Sequence, residues 1–405
     1  MQRVPALARG AIARCARCDG VLRRRRRDPA ERALALALTA LVLFALAAAE
    51  PLLSVDVRGL GRSMTLAGGP LALEQNGYWP LALAVLATTF AAPLARLAAL
   101  AYVLLLLGAP RPPRHLHAVF RWSRRLGTWA MIEVFLLGAF VAYTRLVALA
   151  HVEVGAAVYA LGALTLAAAA ADSALDDEAV WHALAARGIV AGGDPGIVAG
   201  GDPGSPGDAD AALHGCTECG LVSRAARACP RCGAPAWPRK PDSLARTWAL
   251  LLAAAVLYIP ANTLPIMEYL SLGRTQDATI LGGVAELIEA GMWPLAALVF
   301  FASITVPLLK LLGLVWLLLT TQRGAARGLV PRTRLYRIVE SVGRWSMIDV
   351  FMIAILTALV QLGVVATVIP GPGAVAFCAV VILTILAADS FDPRLMWDAA
   401  GRNAA

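Results

Sequence analysis

Hydrophobic positions along the chain gather into eight long runs, near residues 33 to 53, 79 to 107, 128 to 150, 154 to 171, 245 to 266, 292 to 320, 345 to 368 and 372 to 389. A helix rising 1.5 Å per residue needs about 20 apolar residues to cross a bilayer, so each run predicts a spanning helix. The polar stretches between the runs differ in kind. Those at 54 to 77 and 267 to 291 alternate apolar and polar residues, as in Leu53-Ser-Val-Asp-Val57, and carry the pairs Gly68-Gly69 and Gly282-Gly283, which predicts short strands or hairpins. The stretch Gly188-Ile-Val-Ala-Gly-Gly-Asp-Pro195 recurs unchanged as residues 196 to 203; a Gly/Pro/Asp tract with nothing to bury reads as a flexible linker.

The eight runs form two groups of four, and the groups are copies. Residues 13 to 182 lie on 227 to 398 with an offset of 214 that drifts to 217. Trp79-Pro80 then meets Trp293-Pro294, Pro93 meets Pro307, and Arg96 meets Lys310. Gly127-Thr-Trp-Ala-Met-Ile-Glu-Val-Phe135 meets Gly343-Arg-Trp-Ser-Met-Ile-Asp-Val-Phe351, and Ala171-Asp172-Ser173 meets Ala388-Asp389-Ser390. Four spans per copy bring each copy in and out on one side, so the repeat is parallel. The sequence thus divides into a half ribbon (1–30), a first four-helix membrane repeat (31–182), a linker (183–212), a ribbon (213–240), a second repeat (241–398) and a tail (399–405).

Composition supports the membrane reading. The 405 residues are 59% hydrophobic and only 16% charged, with mean hydropathy +0.68, against roughly 25% charged in soluble domains. The net charge of +9 could suggest nucleic acid, but no nucleic-acid motif accompanies it. Placement decides otherwise: the 108 to 127 loop holds five arginines and the 321 to 344 loop six, whereas 54 to 77 holds two and 267 to 291 one. Basic short loops stay cytoplasmic, so both termini are expected there. The arginine-rich start lacks a cleavage site and reads as the flank of a retained first span.

Six of seven cysteines form C-x-x-C pairs on the arginine-rich side, where thiols stay reduced and serve as metal ligands. Cys216, Cys219, Cys229 and Cys232, with Gly220 and Gly233 after each pair, have the knuckle spacing that aims four thiolates at one tetrahedral zinc. All four positions are cysteine, so no open coordination site remains, and the ribbon reads as structural. Cys15 and Cys18 lie on Cys229 and Cys232 by offset, which puts Gln2 and Pro5 at the first knuckle; a start set too late, a lost metal or a site completed by another chain all remain open. Cys378 sits within the last run as a small apolar residue.

Charges inside spans are costly and mark functional candidates. Arg96, Glu133 and Asp172 recur as Lys310, Asp349 and Asp389. The cation is the evident partner of the acid that closes each fourth span, where the helix dipole disfavours a carboxylate. The structural reading is ion pairs that pin the helices. The second set adds Asn262, Ser303, Thr305 and Thr384 and has lysine in place of the arginine that cannot give up its proton, so it is the better candidate for proton coupling or gating. Pro80, Pro93, Pro294 and Pro307 within spans predict kinks.

Two tandem four-span repeats with a C-x-x-C ribbon before each, W-P in the second span, G-x-W-[AS]-M-I-[DE]-V-F opening the third and A-D-S closing the fourth resemble the paraquat-inducible protein A family. The resemblance implies an inner-membrane protein of Gram-negative bacteria that works with a periplasmic MCE-domain (mammalian cell entry) partner in moving membrane lipid. It also implies tetraspanin-like four-helix units with small extracytoplasmic strands. The expected fold is therefore an all-α polytopic membrane protein of eight helices in two parallel repeats with zinc-ribbon modules. A lipid transporter is the leading reading, not an enzyme: no G-x-x-x-x-G-K-[ST] loop is present, so energy comes from an ion gradient or a partner, with Lys310, Asp349 and Asp389 as coupling groups. The kinked second and sixth spans would line the lipid path. A scaffold that docks a cytosolic factor through its ribbon is the alternative. A redox enzyme, suggested only by the cysteine pairs, lacks haem or flavin motifs.

Overall fold

A computed structural model describes residues 10–15, 21–24, 29–57, 60–147, 151–190, 213–224, 228–235, 237, 239–271, 274–325, 327–361 and 366–402. Gln2, Pro5, Cys18, linker residues 191–212 and the last three residues of the tail lie outside the described residues. The first repeat runs β1 (Ile12–Arg14), β2 (Val21–Arg24), α1 (Pro29–Ala49), β3 (Leu53–Val57), β4 (Leu60–Met64), α2 (Gly68–Gln75), α3 (Trp79–Leu86), α4 (Ala92–Leu107), α5 (Leu116–Leu126), α6 (Ile132–Val147), β5 (His151–Val154), α7 (Ala156–Ala174) and α8 (Asp177–Ala186). The second follows the same order: β6 (Leu213–Gly215), β7 (Val222–Arg224), α9 (Ser243–Thr263), β8 (Met267–Ser271), β9 (Arg274–Ala278), α10 (Ile280–Glu289), α11 (Trp293–Phe300), α12 (Val306–Gln322), α13 (Leu329–Val342), α14 (Ile348–Leu359), β10 (Ala366–Pro370), α15 (Pro372–Ser390) and α16 (Arg394–Arg402).

Seven helical stretches among the described residues are long and apolar enough to cross a membrane: Ala30–Ala49, Trp79–Leu107, Ala156–Ala174, Ser243–Thr263, Ala296–Gln322, Leu329–Leu359 and Pro372–Ser390. The run at 128 to 150 differs from expectation. Its helix, α6, has only 16 residues, because the Met131 N–H donates to the Thr88 carbonyl (3.2 Å) instead of extending the helix backward. The run at 345 to 368 ends as helix at Leu359, and its remainder supplies β10. The arginine-rich loops hold α5 and α13, which their mixed polarity hid from a search for apolar runs.

The compact bodies are not the sequence blocks. One gathers Met1–Val42, Leu94–Thr128 and Leu164–Pro241; the other gathers Leu43–Pro93, Trp129–Ala163 and Asp242–Ala405. The first is built around Phe120, whose ring meets Trp181 edge-on at 5.3 Å, with Leu116, Leu184, Ala33, Ala37 and the ribbon cysteines Cys229 and Cys232 packed about it. Asp176 caps α8 by accepting from the N–H groups of Glu178 and Ala179, which fixes that helix against the core.

The second body holds two three-stranded antiparallel sheets, ordered β4-β3-β5 and β10-β8-β9. The β3–β4 and β8–β9 hairpins match the expected alternation; β5, in the short gap between two apolar runs, and β10, at the end of another, add a third strand after a long gap. The Gly-Gly pairs open the short helices α2 and α10 instead of turns. At the crossing of α6 and α14, Gly138 lies against Phe351, and the Phe135 and Phe351 rings meet edge-on at 5.6 Å. Where each last strand passes into its helix, the chain makes the same close approach: the Gly155 N–H donates to Leu52 O (3.0 Å) and the Gly371 N–H to Ile266 O (2.7 Å). A Cβ at either glycine would overlap the carbonyl of Pro51 or Pro265.

Those glycines make a prediction. Gly155→Ala and Gly371→Ala should each cost about 1–3 kcal/mol through forced backbone displacement, read as earlier thermal unfolding in detergent. Gly162→Ala, in α7 with nothing within 4 Å of the added methyl, should not lower stability.

Candidate functional site

Both cysteine knuckles share one backbone geometry. The Cys216 N–H donates to Leu221 O (2.8 Å) and the Gly220 N–H to Cys216 O (3.1 Å); the Cys229 N–H donates to Ala234 O (2.7 Å) and the Gly233 N–H to Cys229 O (2.9 Å). Gly220 and Gly233 turn at φ +70° and +66°, a left-handed conformation that glycine reaches without strain. The turns bring four sulfurs within 4.8 Å of one another, with Cys216–Cys232 at 3.6 Å and Cys219–Cys229 at 3.5 Å. Tetrahedral Zn–S bonds of about 2.3 Å set sulfurs about 3.8 Å apart, so the set fits zinc. A hydrogen bond from Cys219 is the main cause that holds the Cys216 thiol down at about 6. Thiolate is the form a metal binds, and four filled sulfur positions leave no place for a reactive water.

Strand order corrects the expected match for Cys15. β1 ends just before Cys15 as β6 ends just before Cys216, and β2 begins at Val21 as β7 begins at Val222, the same interval past each cysteine. Cys15 thus stands where the first knuckle's cysteine stands, not the second's. The sequence offset missed this because it was anchored on the distance to the first span.

Also in the first body, Arg96 on α4 pairs with Asp172 at the end of α7, as expected. Arg124 of α5 joins them, Nη1 to Asp172 (3.4 Å) and Nε to Asp177 (3.1 Å). Two further α5 arginines reach the ribbon: Arg121 donates to Cys232 O (2.9 Å), and Arg125 donates twice to Glu218 (2.9 and 2.6 Å). Sequence reading missed these arginines as site residues, although their i, i+3, i+4 spacing on one helix was there to see.

In the second body the equivalent groups are arranged differently. Glu133 pairs with Arg344 (3.3 Å). Lys310, 2% exposed, donates to Thr384 Oγ1 (2.8 Å), and Thr384 in turn donates to Val381 O. The expected partner Asp389 is instead exposed at the last turn of α15. Gly343 leaves room for the ammonium, since a Cβ there would lie 3.2 Å from Lys310 Nζ. Asp349 is buried on α14, where Ser303 and Arg145 are its electrostatic neighbours; Asp349 Oδ2 and Ser303 Oγ have no hydrogen-bond partner among the described residues. Asn262 donates to Tyr258 O within α9, and Thr305 lies half-buried at the end of a π-helical segment.

That segment, Phe301–Thr305, and its counterpart Ala87–Ala91 take the place of simple kinks. Pro93 and Pro307 have no N–H, and the turn before each shifts to i→i−5 bonding, Ala92 N to Ala87 O and Val306 N to Phe301 O. The shift frees Thr88 O, which accepts from Met131 N, while Ile304 O accepts from the Tyr258 hydroxyl (3.2 Å). Beside the first segment lies a cavity of about 260 Å³, lined by apolar side chains that include Leu83, Ala84, Trp129, Met131, Met347 and Ile385. Met131 and Met347 are the two copies of the motif methionine. Trp129 of the same motif also lines this cavity.

The paraquat-inducible protein A family matches the chain over residues 30–185 and again over 244–401, and the chain belongs to that family. It is 34% identical over 396 residues to the intermembrane transport protein PqiA of Escherichia coli K12, covering 98% of this chain and 93% of that one. It is 33% identical over 386 residues to the lipophilic envelope-spanning tunnel protein A of the same organism, covering 95% and 86%. A probable intermembrane transport protein of Haemophilus influenzae is 37% identical over 169 residues, 42% of this chain and 41% of that one. No solved structure matches.

The cysteine geometry predicts one zinc per chain by elemental analysis of the purified protein. Cys216→Ser with Cys229→Ser should reduce the content to background, since removing one ligand from each knuckle leaves only two.

Proposed function

We propose that this member of the paraquat-inducible protein A family moves phospholipid between the inner membrane of a Gram-negative cell and a periplasmic MCE-domain partner, coupled to an ion gradient through Lys310 and Asp349. In this reading the chain crosses eight times, as two parallel tetraspanin-like repeats with both termini cytoplasmic. α6 serves as the short eighth span, its 16 residues reaching about 24 Å. The protein is a transporter and not an enzyme. The names of its relatives, intermembrane transport proteins, support the general role.

The observation that carries the proposal is the apolar cavity beside buried ionisable groups. Ile385 lines the cavity and also lies against Gly343, which the Lys310 ammonium approaches as well. An acyl chain matches that apolar lining, and methionines accommodate chains of varied shape. Lys310 and Asp349 are a buried cation and a buried acid, and a change in the protonation of Lys310 alters the charge near Ile385 of the cavity wall. Such groups are expensive at membrane depth and are retained where an ion or substrate path requires them. Both knuckles of the ribbon are already engaged by α5, which favours transport over the docking of a cytosolic factor through that ribbon.

Complementation of the envelope barrier in a strain lacking parallel transport systems tests this. Lys310→Ala and Asp349→Asn should fall to the level of empty vector at equal expression. Full complementation by Lys310→Ala would sink the coupling role.

A further inference from the structure

We propose that the four-cysteine ribbon, when it holds its metal, is a clasp that fixes α5 and, through α5, the Arg96–Asp172 ion pair of the first membrane repeat. The inference rests on the metal reading of the cysteines and not on lipid transport. Arg121 and Arg125 stand four residues apart on one face of α5, and each grips a different knuckle. Arg125 bonds Glu218, which lies between Cys216 and Cys219, while Arg121 bonds the carbonyl of Cys232. One rigid helix can hold both only while the two knuckles keep a fixed separation. The metal sets that separation: bonded to all four sulfurs it locks one knuckle to the other, whereas the metal-free thiols are held across the knuckles by long sulfur–sulfur hydrogen bonds, Cys216–Cys232 at 3.6 Å and Cys219–Cys229 at 3.5 Å.

The rest of the path is short. Arg124, one residue from Arg125, reaches Asp172 and Asp177 from the adjoining face of the same helix. Those contacts are half-exposed, with side chains 38%, 35% and 46% accessible, and exposed pairs contribute little on their own. Whether they form is therefore decided by where the helix sits. The helix in turn is seated by Phe120 and Leu116 in a core that includes Leu221, Cys229, Cys232, Ala234, Trp181 and Leu184. Ribbon, α5 and α8 thus share one small core, with metal binding at one edge of it and Asp172 at the other. The ribbon stands in sequence before the second repeat, yet the side chains it holds belong to the first.

The test is hydrogen exchange with mass-spectrometric readout on the full chain in lipid nanodiscs. The zinc-loaded protein is compared with protein stripped by a high-affinity chelator and with the stripped protein given Zn²⁺ again, zinc content being measured in each. Loss of zinc should speed exchange about tenfold in residues 116–126 and 171–186 as well as in the ribbon, reversibly, while residues 372–390 stay protected. The Arg121→Gln, Arg125→Gln double variant should keep its zinc and its protected knuckles but exchange about tenfold faster at 171–186. Acceleration confined to the ribbon, acceleration of 372–390 along with everything else, or unchanged exchange at 171–186 in the double variant would each overturn the clasp. A protein that binds no zinc as purified or after addition would instead overturn the metal reading beneath it.

Discussion

In an apolar medium every backbone carbonyl needs a donor, and a proline inside a helix removes one. Pro93 and Pro307 stand one turn after Thr89 and Ser303, whose carbonyls would otherwise accept from them. A proline in a straight helix would leave that carbonyl unmet and press its ring on the preceding turn. The widened π turn relieves the clash, and a carbonyl it frees in the first segment, Thr88 O, is met from outside the helix. Met131 N donates to it, and with that bond the start of α6 is fixed, the helix is shortened and Met131 is brought to the cavity wall. In the second segment the Tyr258 hydroxyl donates to Ile304 O, tying α9 to it. The length of α6 and the place of Met131 in the cavity wall thus trace to the missing N–H of Pro93.

The repeats share this backbone device but spend their charges differently. In the first, Arg96 keeps 16% of its side chain accessible and pairs with Asp172, with Arg124 alongside. A guanidinium stays protonated, so this arrangement can hold but cannot titrate. In the second, Lys310 is almost fully buried with a hydroxyl for its partner, and Asp349 is buried apart from it. Burying a charge with so little compensation costs several kcal/mol on general grounds. A fold that needed only a pin between helices would do better with the paired arrangement its other half already uses. The contrast within one chain, where both halves began from the same sequence, is the strongest physical reason to look for function at Lys310.

Most of the architecture was legible because hydropathy and repetition report on the solvent each segment meets. Seven of the eight apolar runs correspond to long apolar helices, and the cysteine spacing located the four-sulfur cluster. The failures have physical causes. β5, His-Val-Glu-Val, is only four residues in the gap between two apolar runs, too short to register as an element, and β10 is as apolar as the run whose end it forms, so composition alone could not separate strand from helix at Ala366. α5 and α13 are amphipathic and arginine-rich, and a search for apolar runs reads such helices as loop. Asp389 was assigned to Lys310 by analogy with Asp172 and Arg96. The analogy broke because Thr384, one turn earlier on α15, satisfies the shorter lysine inside the bundle, whereas an arginine reaches the helix end.

The ribbon shows why adjacency in sequence is a poor guide to mechanical connection. Its strands lead by sequence into the second repeat, and a reader following the chain would assign its stabilising effect there. Its hydrogen bonds and its apolar contacts run to α5 and α8 of the first. A module of four cysteines with few apolar residues of its own, Leu221 and Ala234 among them, cannot bury enough surface to fold alone. It borrows Phe120 and Trp181 for its core, and that requirement dictates where it docks. Because Arg121 and Arg125 engage one knuckle each, the docked state selects one knuckle spacing, and a metal held by the four cysteines would impose the same one, so the seating of α5 and the closing of the knuckles favour each other.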